Sequence, residues 1–189
     1  MPERYVYIDF MIDTNRINAK THLKNMNILE CWHEDGVISI EMAEVAQNEA
    51  VQSRDSSRTE KAYTYIATKT LAHTRDEVLK LNQIQLILFP LGVQSRNNQN
   101  DVEIVFNAWK YFRILVTDDG DSRSQPVGIL GNRDHLADIG IRVMRDDEAV
   151  ELVKQKIIDR DQRARRIVLM EGKSLPDWVG LDFGERKAA

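Results

Sequence analysis

The chain is short of the groups that would place it in several common classes. It holds one cysteine, Cys31, so neither an internal disulfide framework nor a cysteine-based zinc site can be built from it. Its apolar runs are brief: Ile84 to Leu91 is broken by Gln85, and none approaches a membrane span. The opening Met-Pro-Glu-Arg-Tyr lacks the basic start and apolar stretch of a secretory signal. Basic residues are not in excess. Lys and Arg number 26 against 30 Asp and Glu, a net charge of −4. That argues against a mainly basic nucleic-acid coat, but not against an enzyme whose acidic site is masked by a metal. His22, His33, His73 and His135 are scattered without ligand spacing. No aromatic–basic interleaving of the RRM kind is present, and no internal repeat. The reading is a cytoplasmic protein with no membrane partner.

What is there suits one sizeable core. The 189 residues are 42% hydrophobic and 30% charged, ordinary for a globular chain. Tyr5 to Ile12 reads as a buried strand interrupted by Asp9. From Ile17, the spacing of Leu23, Met26, Leu29 and Trp32 predicts a helix that stops near Gly36. Val37 to Ile40 is a second strand, and Met42, Val45, Ala46 and Ala50 mark a second helix. Ser57 to Glu60 and Thr74 to Glu77 fit the capping box, and Pro90 and Gly92 close the helix that Thr74 opens. Residues 94 to 100 are the most polar stretch, read as a loop before a helix that begins around Asp101. Ile114 to Val116 and Ile139 to Met144 are the third and fourth strands, the latter after a Gly-containing loop. A long charged helix runs from Asp146 to about Glu171.

Strands alternating with helices predict βαβ units and a mainly parallel sheet, with functional groups at the carboxyl ends of the strands. Carboxylates gather at those ends. Asp13 follows the first strand, Glu44 lies past the second, and Asp118, Asp119 and Asp121 follow the third; Asp101 opens the helix that feeds it. Each has a bland reading as a cap or turn residue. Of Glu41, Glu44 and Glu49, at least two are expected to face solvent. Asp9 is either a further acid for the site or a carboxylate paired locally. Capping does not require several acids at successive strand ends, and their joint placement favours chemistry.

Four stretches, in order, resemble PIN-domain nucleases. "VYIDFMIDTN" is similar to their opening strand and Asp-Thr-Asn. "GVISIEMAEVAQ" resembles the second strand and a helix whose first turn carries a glutamate, matched best by Glu44. "NDVEIVFNAWKYFRILVTDDGDS" is similar to the third element, with Asp101, Thr117, Asp119 and Asp121 in place. "IGIRVMRDDEAVELV" resembles the closing strand and helix. The likeness covers roughly residues 4 to 154. It departs in a longer, more helical segment from about 52 to 99, in Ser122 where an aromatic often stands, and in a helix that continues past 154. It implies a three-layer α/β/α fold with a helical insertion and an extended C-terminal helix. It divides the chain into a nuclease domain over 1–154 and a helical extension and tail over 155–189.

The chemistry of the acids points the same way. Like charges at a few ångströms raise one another's pKa, and a hard divalent cation resolves the conflict. Mg²⁺ or Mn²⁺ takes oxygen ligands, one or two carboxylates and waters for each ion. Such an ion polarises a phosphoryl oxygen and activates water, so phosphodiester hydrolysis is the expected reaction. Asp13, Glu44, Asp101 and Asp119 are the expected catalytic set. Asp13, Asp101, Asp119 and Asp121 are the expected metal ligands, with Asn15 and Thr117 holding them through hydrogen bonds. Arg96, and Arg163, Arg165 and Arg166 of "DRDQRARR", are candidates for phosphate contacts. The latter three also read as a solvated helix face. The resemblance implies RNA rather than DNA as substrate. It leaves open an antitoxin or other protein partner, and a homo-oligomer. Two alternatives stand beside it: a PIN-like scaffold that binds nucleic acid or protein without cutting, and a Toprim-like site, since Asp119-Gly-Asp121 also follows a strand. The second needs a glutamate where this chain has Asp13.

Overall fold

The computed structural model describes residues 3–52, 54–69, 74–120 and 127–183. Its frame is a sheet of five strands, all parallel: β1 (Asp9–Ile12), β2 (Ser39–Ala43), β3 (Ile66–Thr68), β4 (Ile114–Val116) and β5 (Val143–Met144), in the order β3-β2-β1-β4-β5. The central strand explains itself. Phe10, Met11 and Ile12 have no exposed surface, because a parallel strand covered on both faces has no polar side to alternate with.

Among the described residues, seven α-helices surround the sheet: α1 (Lys24–Glu34), α2 (Glu44–Val51), α3 (Ser56–Ala62), α4 (Arg75–Leu88), α5 (Arg96–Lys110), α6 (Arg133–Asp138) and α7 (Asp146–Glu171). Helix α1 packs on α7 and β2, whereas α5 packs on α2 and α4 and lies against β2 and β4. The α1 connection carries the chain from β1 out to β2, and α5 brings it back across to β4. Right-handed crossovers in opposite directions put these helices on opposite faces. The result is the expected α/β sandwich.

Several elements differ from the sequence reading, each for a local reason. Strand β1 begins at Asp9 rather than Tyr5, because Tyr7 sits in the left-handed region at φ 57° and breaks the extended run. The helix expected from Ile17 starts at Lys24; before it, Thr14–Arg16 make one 3-10 turn, and Asn18 spends its side chain on the Leu23 amide. Met42 belongs to β2, not to α2. The box at Ser57 and Glu60 does not cap α3; Asp55 does, accepting from Ser57 N–H. The box at Thr74 and Glu77 forms with both of its bonds.

Strand β3 lies inside the segment read as helical. It is three residues long and Ile66 is 62% exposed, so it leaves no pattern to read. The polar stretch 94–100 is not a loop: Ser95 accepts from Asn98 N–H and caps α5, which begins at Arg96. Asp101 therefore stands in the second turn of that helix rather than opening it. Strand β5 keeps only two residues of Ile139 to Met144, and α6 occupies part of the preceding loop.

Beyond α7 the chain folds back. Asp182 pairs with Arg160 at 2.9 Å and with Arg4 at 2.6 Å, and its backbone carbonyl accepts from the Trp32 indole at 3.0 Å. Arg160 also pairs with Asp161 and lies over the Trp178 ring. The Asp182 side chain has no exposed surface. Asp182→Ala removes a buried carboxylate shared by two guanidinium groups, leaving Arg160 to Asp161 and Arg4 to Asp35, and is expected to cost about 3 kcal/mol. The melting temperature should fall by roughly 6–12 °C. A change of less than about 2 °C would mean that this corner adds little to stability.

Candidate active site

The site is built at the carboxyl edge of the two central strands. Asp13 follows β1 directly, and its N–H donates to Val116 C=O at 3.0 Å, which ties the two strand ends together. The side chain is 6% exposed and takes three donors. Thr14 N–H reaches Oδ1 at 2.6 Å, while Asn15 Nδ2 and Thr117 Oγ1 each reach Oδ2 at 2.7 Å. Thr117 spends its one hydroxyl proton on Asp13, and its oxygen accepts from Asp119 N–H at 3.0 Å and Asn15 Nδ2 at 3.2 Å. Asn15 and Thr117 thus hold Asp13 as supporting residues.

The aspartates after β4 divide between two tasks. Asp118 points outward and pairs with Arg16 at 3.0 Å; Arg16 also pairs with Asp146 at the start of α7, at 3.1 Å. Asp119 turns inward. Its Oδ2 accepts from Ile129 N–H at 2.7 Å, and it shares a pocket of about 180 Å³ with Asp101, Leu88, Phe89, Val127, Gly128 and Ile129. Asp121 lies outside the described residues.

Asp101 comes from α5. No hydrogen-bond donor or cation among the described residues reaches its carboxylate. Burial pushes its pKa up to about 7, and the charges of Asp13, Asp119 and Glu49 push the same way. Asp13 is raised to about 6, first by burial and further by Asp119 and Glu49, against the pull of its hydrogen bonds with Thr117 and Thr14.

Glu49, not Glu44, is the glutamate in this field. It stands at the far end of α2 and accepts from Thr14 Oγ1 at 3.1 Å. Glu44, the first residue of α2, pairs with Lys69 at 3.4 Å with 40% of its side chain exposed. Glu49 is told from Glu44 by the rotation of α2 over the strand ends, not by a sequence pattern. It follows Glu44 by five residues, which turns it to another side of the helix and towards the strand ends. Both line a polar groove of about 390 Å³ with Asn48, Arg96, Asn100 and Glu103. Arg96 is thereby brought beside the acids.

Other candidates lie elsewhere. Asp9 is at the opposite end of β1, paired with Arg113 at 2.9 Å and accepting from Tyr5 OH. Arg163, Arg165 and Arg166 are exposed on α7. Helix α7 starts beside the site at Asp146, and Arg163 lies 17 residues on, about 26 Å along the axis.

The donors are all oxygen, and an unpartnered Asp101 facing the pocket of Asp119 suits a hard divalent cation. Among the described residues, no three side chains of the ligating types converge closely enough to form a cage. Mg²⁺ does not require one, since it keeps several waters and takes one or two carboxylates. No helix among the described residues is long and apolar enough to cross a membrane.

No family model matches the sequence, and no curated protein is similar to it. Among solved structures it is similar to VapBC2 from Rickettsia felis, in a crystal structure with a DNA fragment from its promoter. The identity is 15% and the TM-score 0.44, over 73% of this chain and 98% of that one. The site is therefore read from its own geometry.

The raised carboxylates set a pH dependence. Asp13 and Asp101 titrate at about 6 and 7 when folded, against about 3.9 in an open chain. Between these values the folded state binds more protons than the unfolded one. Stability without metal should therefore fall as pH rises from about 4 through 7. Urea midpoints taken in chelator across that range check this, and Asp101→Asn should flatten the decline. An equally steep decline in the variant would remove Asp101 as its source.

Proposed function

We propose that the chain is a metal-dependent nuclease of the PIN type that hydrolyses phosphodiester bonds in RNA, with its nuclease domain in residues 1–154. The observation that carries this reading is that Asp13, Asp101 and Asp119 stand within one another's electrostatic field at one strand edge. They come from separate elements, and burial and mutual repulsion raise two of them well above the usual carboxylate range. A fold does not gather such groups for stability, because each raises the cost of ionising the next.

Asp101 and Asp119 would hold Mg²⁺ or Mn²⁺, with Asp13 and Glu49 adding negative charge behind them. Bound there, the ion would supply a polarised phosphoryl oxygen and a water activated for attack. The chain's own residues do the rest. Thr117 and Asn15 fix Asp13, Leu88 and Phe89 form an apolar wall beside the acids, and Arg96 offers a planar fork to a phosphate. RNA as substrate, and an antitoxin or second copy as partner, rest on the resemblance to PIN domains.

A second reading has one observation in its favour. Asp13 already accepts three hydrogen bonds, and among the described residues no three ligands converge. That arrangement also suits a scaffold that binds nucleic acid without cutting it. Incubation with single-stranded RNA and DNA, with Mn²⁺ and with chelator, separates the two. The nuclease cuts RNA only with metal, and Asp119→Asn loses most of that activity while keeping its melting temperature in chelator. Binding without cleavage under every condition would leave the scaffold.

The placement of the arginines gives a further expectation. Arg96→Ala should weaken RNA binding and lower the slope of log affinity against log salt by about 0.7, one phosphate contact on a single strand. Combined Ala substitution of Arg163, Arg165 and Arg166 should leave the slope unchanged. A fall in slope for the triple variant alone would move the RNA path onto α7.

A further inference from the structure

Asp119 is held from behind by a segment that none of the acidic motifs includes. The chain returns at Val127, and Gly128 comes so close that a Cβ there would lie 2.3 Å from Asp119 Oδ2 and 2.7 Å from its Cγ. The same Cβ would meet the Gly120 amide nitrogen at 2.7 Å. No side chain fits in that gap. Two amides follow directly. Ile129 N–H donates to Asp119 Oδ2 at 2.7 Å, and Leu130 N–H donates to the Asp119 backbone carbonyl at 2.9 Å.

The segment is itself tied. Asn132, 8% exposed, donates through Nδ2 to Val127 C=O at 2.7 Å and to Gly128 C=O at 3.1 Å. One amide group thus fixes the two carbonyls just ahead of the Ile129 amide.

We infer that Gly128 and Asn132 are positioning residues for Asp119. Gly128 gives the carboxylate room to lie against the backbone, and Asn132 locks the loop whose amide occupies Oδ2. Among the described residues Oδ1 is then the oxygen of Asp119 without a protein donor, left to serve a ligand in the pocket that Asp119 lines with Asp101. A carboxylate free to rotate would offer either oxygen in many directions; this one has a single orientation prepared before any ligand arrives. A catalytic group needs that preorganisation and a turn aspartate does not. The inference rests on the proposed nuclease site for its purpose, but the clamp can be tested apart from it.

Asn132→Ala is the main variant, because it adds no atoms and leaves Asp119 and Ile129 unchanged. Its first readout needs no metal. Hydrogen exchange at the Ile129 amide should speed up on the order of tenfold when the charge-assisted bond loosens, while amides of β1 and β4 keep their protection. Asp119→Ala should expose the same amide. An Ile129 amide protected as in wild type in both variants overturns the clamp.

The second readout is Mn²⁺ affinity by calorimetry, expected to fall about 10–100-fold in Asn132→Ala. In the Asp119→Ala background the same change should cost nothing further, because its effect passes through Asp119. A wild-type affinity in Asn132→Ala, or an equal loss in both backgrounds, overturns the positioning role. If the wild type neither binds Mn²⁺ nor cuts RNA, the nuclease reading fails, and the exchange data still decide the clamp. Gly128→Ala is a stronger form of the same test and should give the larger loss in both readouts.

Discussion

The hydroxyl of Thr117 is where the site and the sheet meet. It donates to Asp13 and accepts from the Asp119 amide and from Asn15, so one oxygen ties the end of β1, the end of β4 and the turn beyond. Parallel strands leave their last carbonyls and amides pointing out of the sheet. Here the N–H groups of Thr14, Asp118 and Asp119 are met by the side chains of Asp13, Asn15 and Thr117. A buried carboxylate survives in such a place because its donors arrive already oriented. Valine at 117 would keep the shape and lose all three bonds, leaving Asp13 with a desolvated oxygen and one fewer donor. The residues that look secondary in the sequence, a threonine and an asparagine, are what allow the acid to stay inside.

The crowding of aspartates after β4 resolves into separate electrostatic environments. Asp118 is neutralised by Arg16, which also takes Asp146 and so ties the first turn of α7 to the strand edge. Asp119 has no cation within reach among the described residues and is held instead by backbone amides. One guanidinium thus removes the neighbour that would otherwise add to the repulsion, and the remaining negative field is directed at Asp101 and Asp13. The conflict that makes the sequence odd is confined to the groups that face the pocket.

How much of this was legible depended on the length scale of each signal. Strand β4, the N-terminal box of α4 and the start of α7 follow from runs or spacings of a few neighbouring residues, and they stand where the sequence puts them. Asp13, Asp101 and Asp119 were readable because they sit at or near the ends of such elements. Strand β3 was not, since three residues, two of them exposed, carry no period. Ser95 as the cap of α5 was hidden by the polarity of the two turns that follow it. The choice of Glu49 over Glu44 depends on how α2 is rotated over the strand ends, which local pattern does not fix. Gly128 gave no signal at all, because its meaning lies in a close approach to Asp119, about ten positions away in the sequence, and Asn132 gave none because it acts only through the Val127 and Gly128 carbonyls.

The pairing of Arg4 with Asp182 has a consequence for the geometry of the whole chain. The two positions, 178 residues apart in the sequence, are within a hydrogen bond of each other, at the pole of the sheet opposite the carboxylates. Cut and rejoined there, the polypeptide would need only a short linker to become a closed ring. A circular permutant opened in the turn between α3 and β3 would preserve every connection that builds the acidic edge.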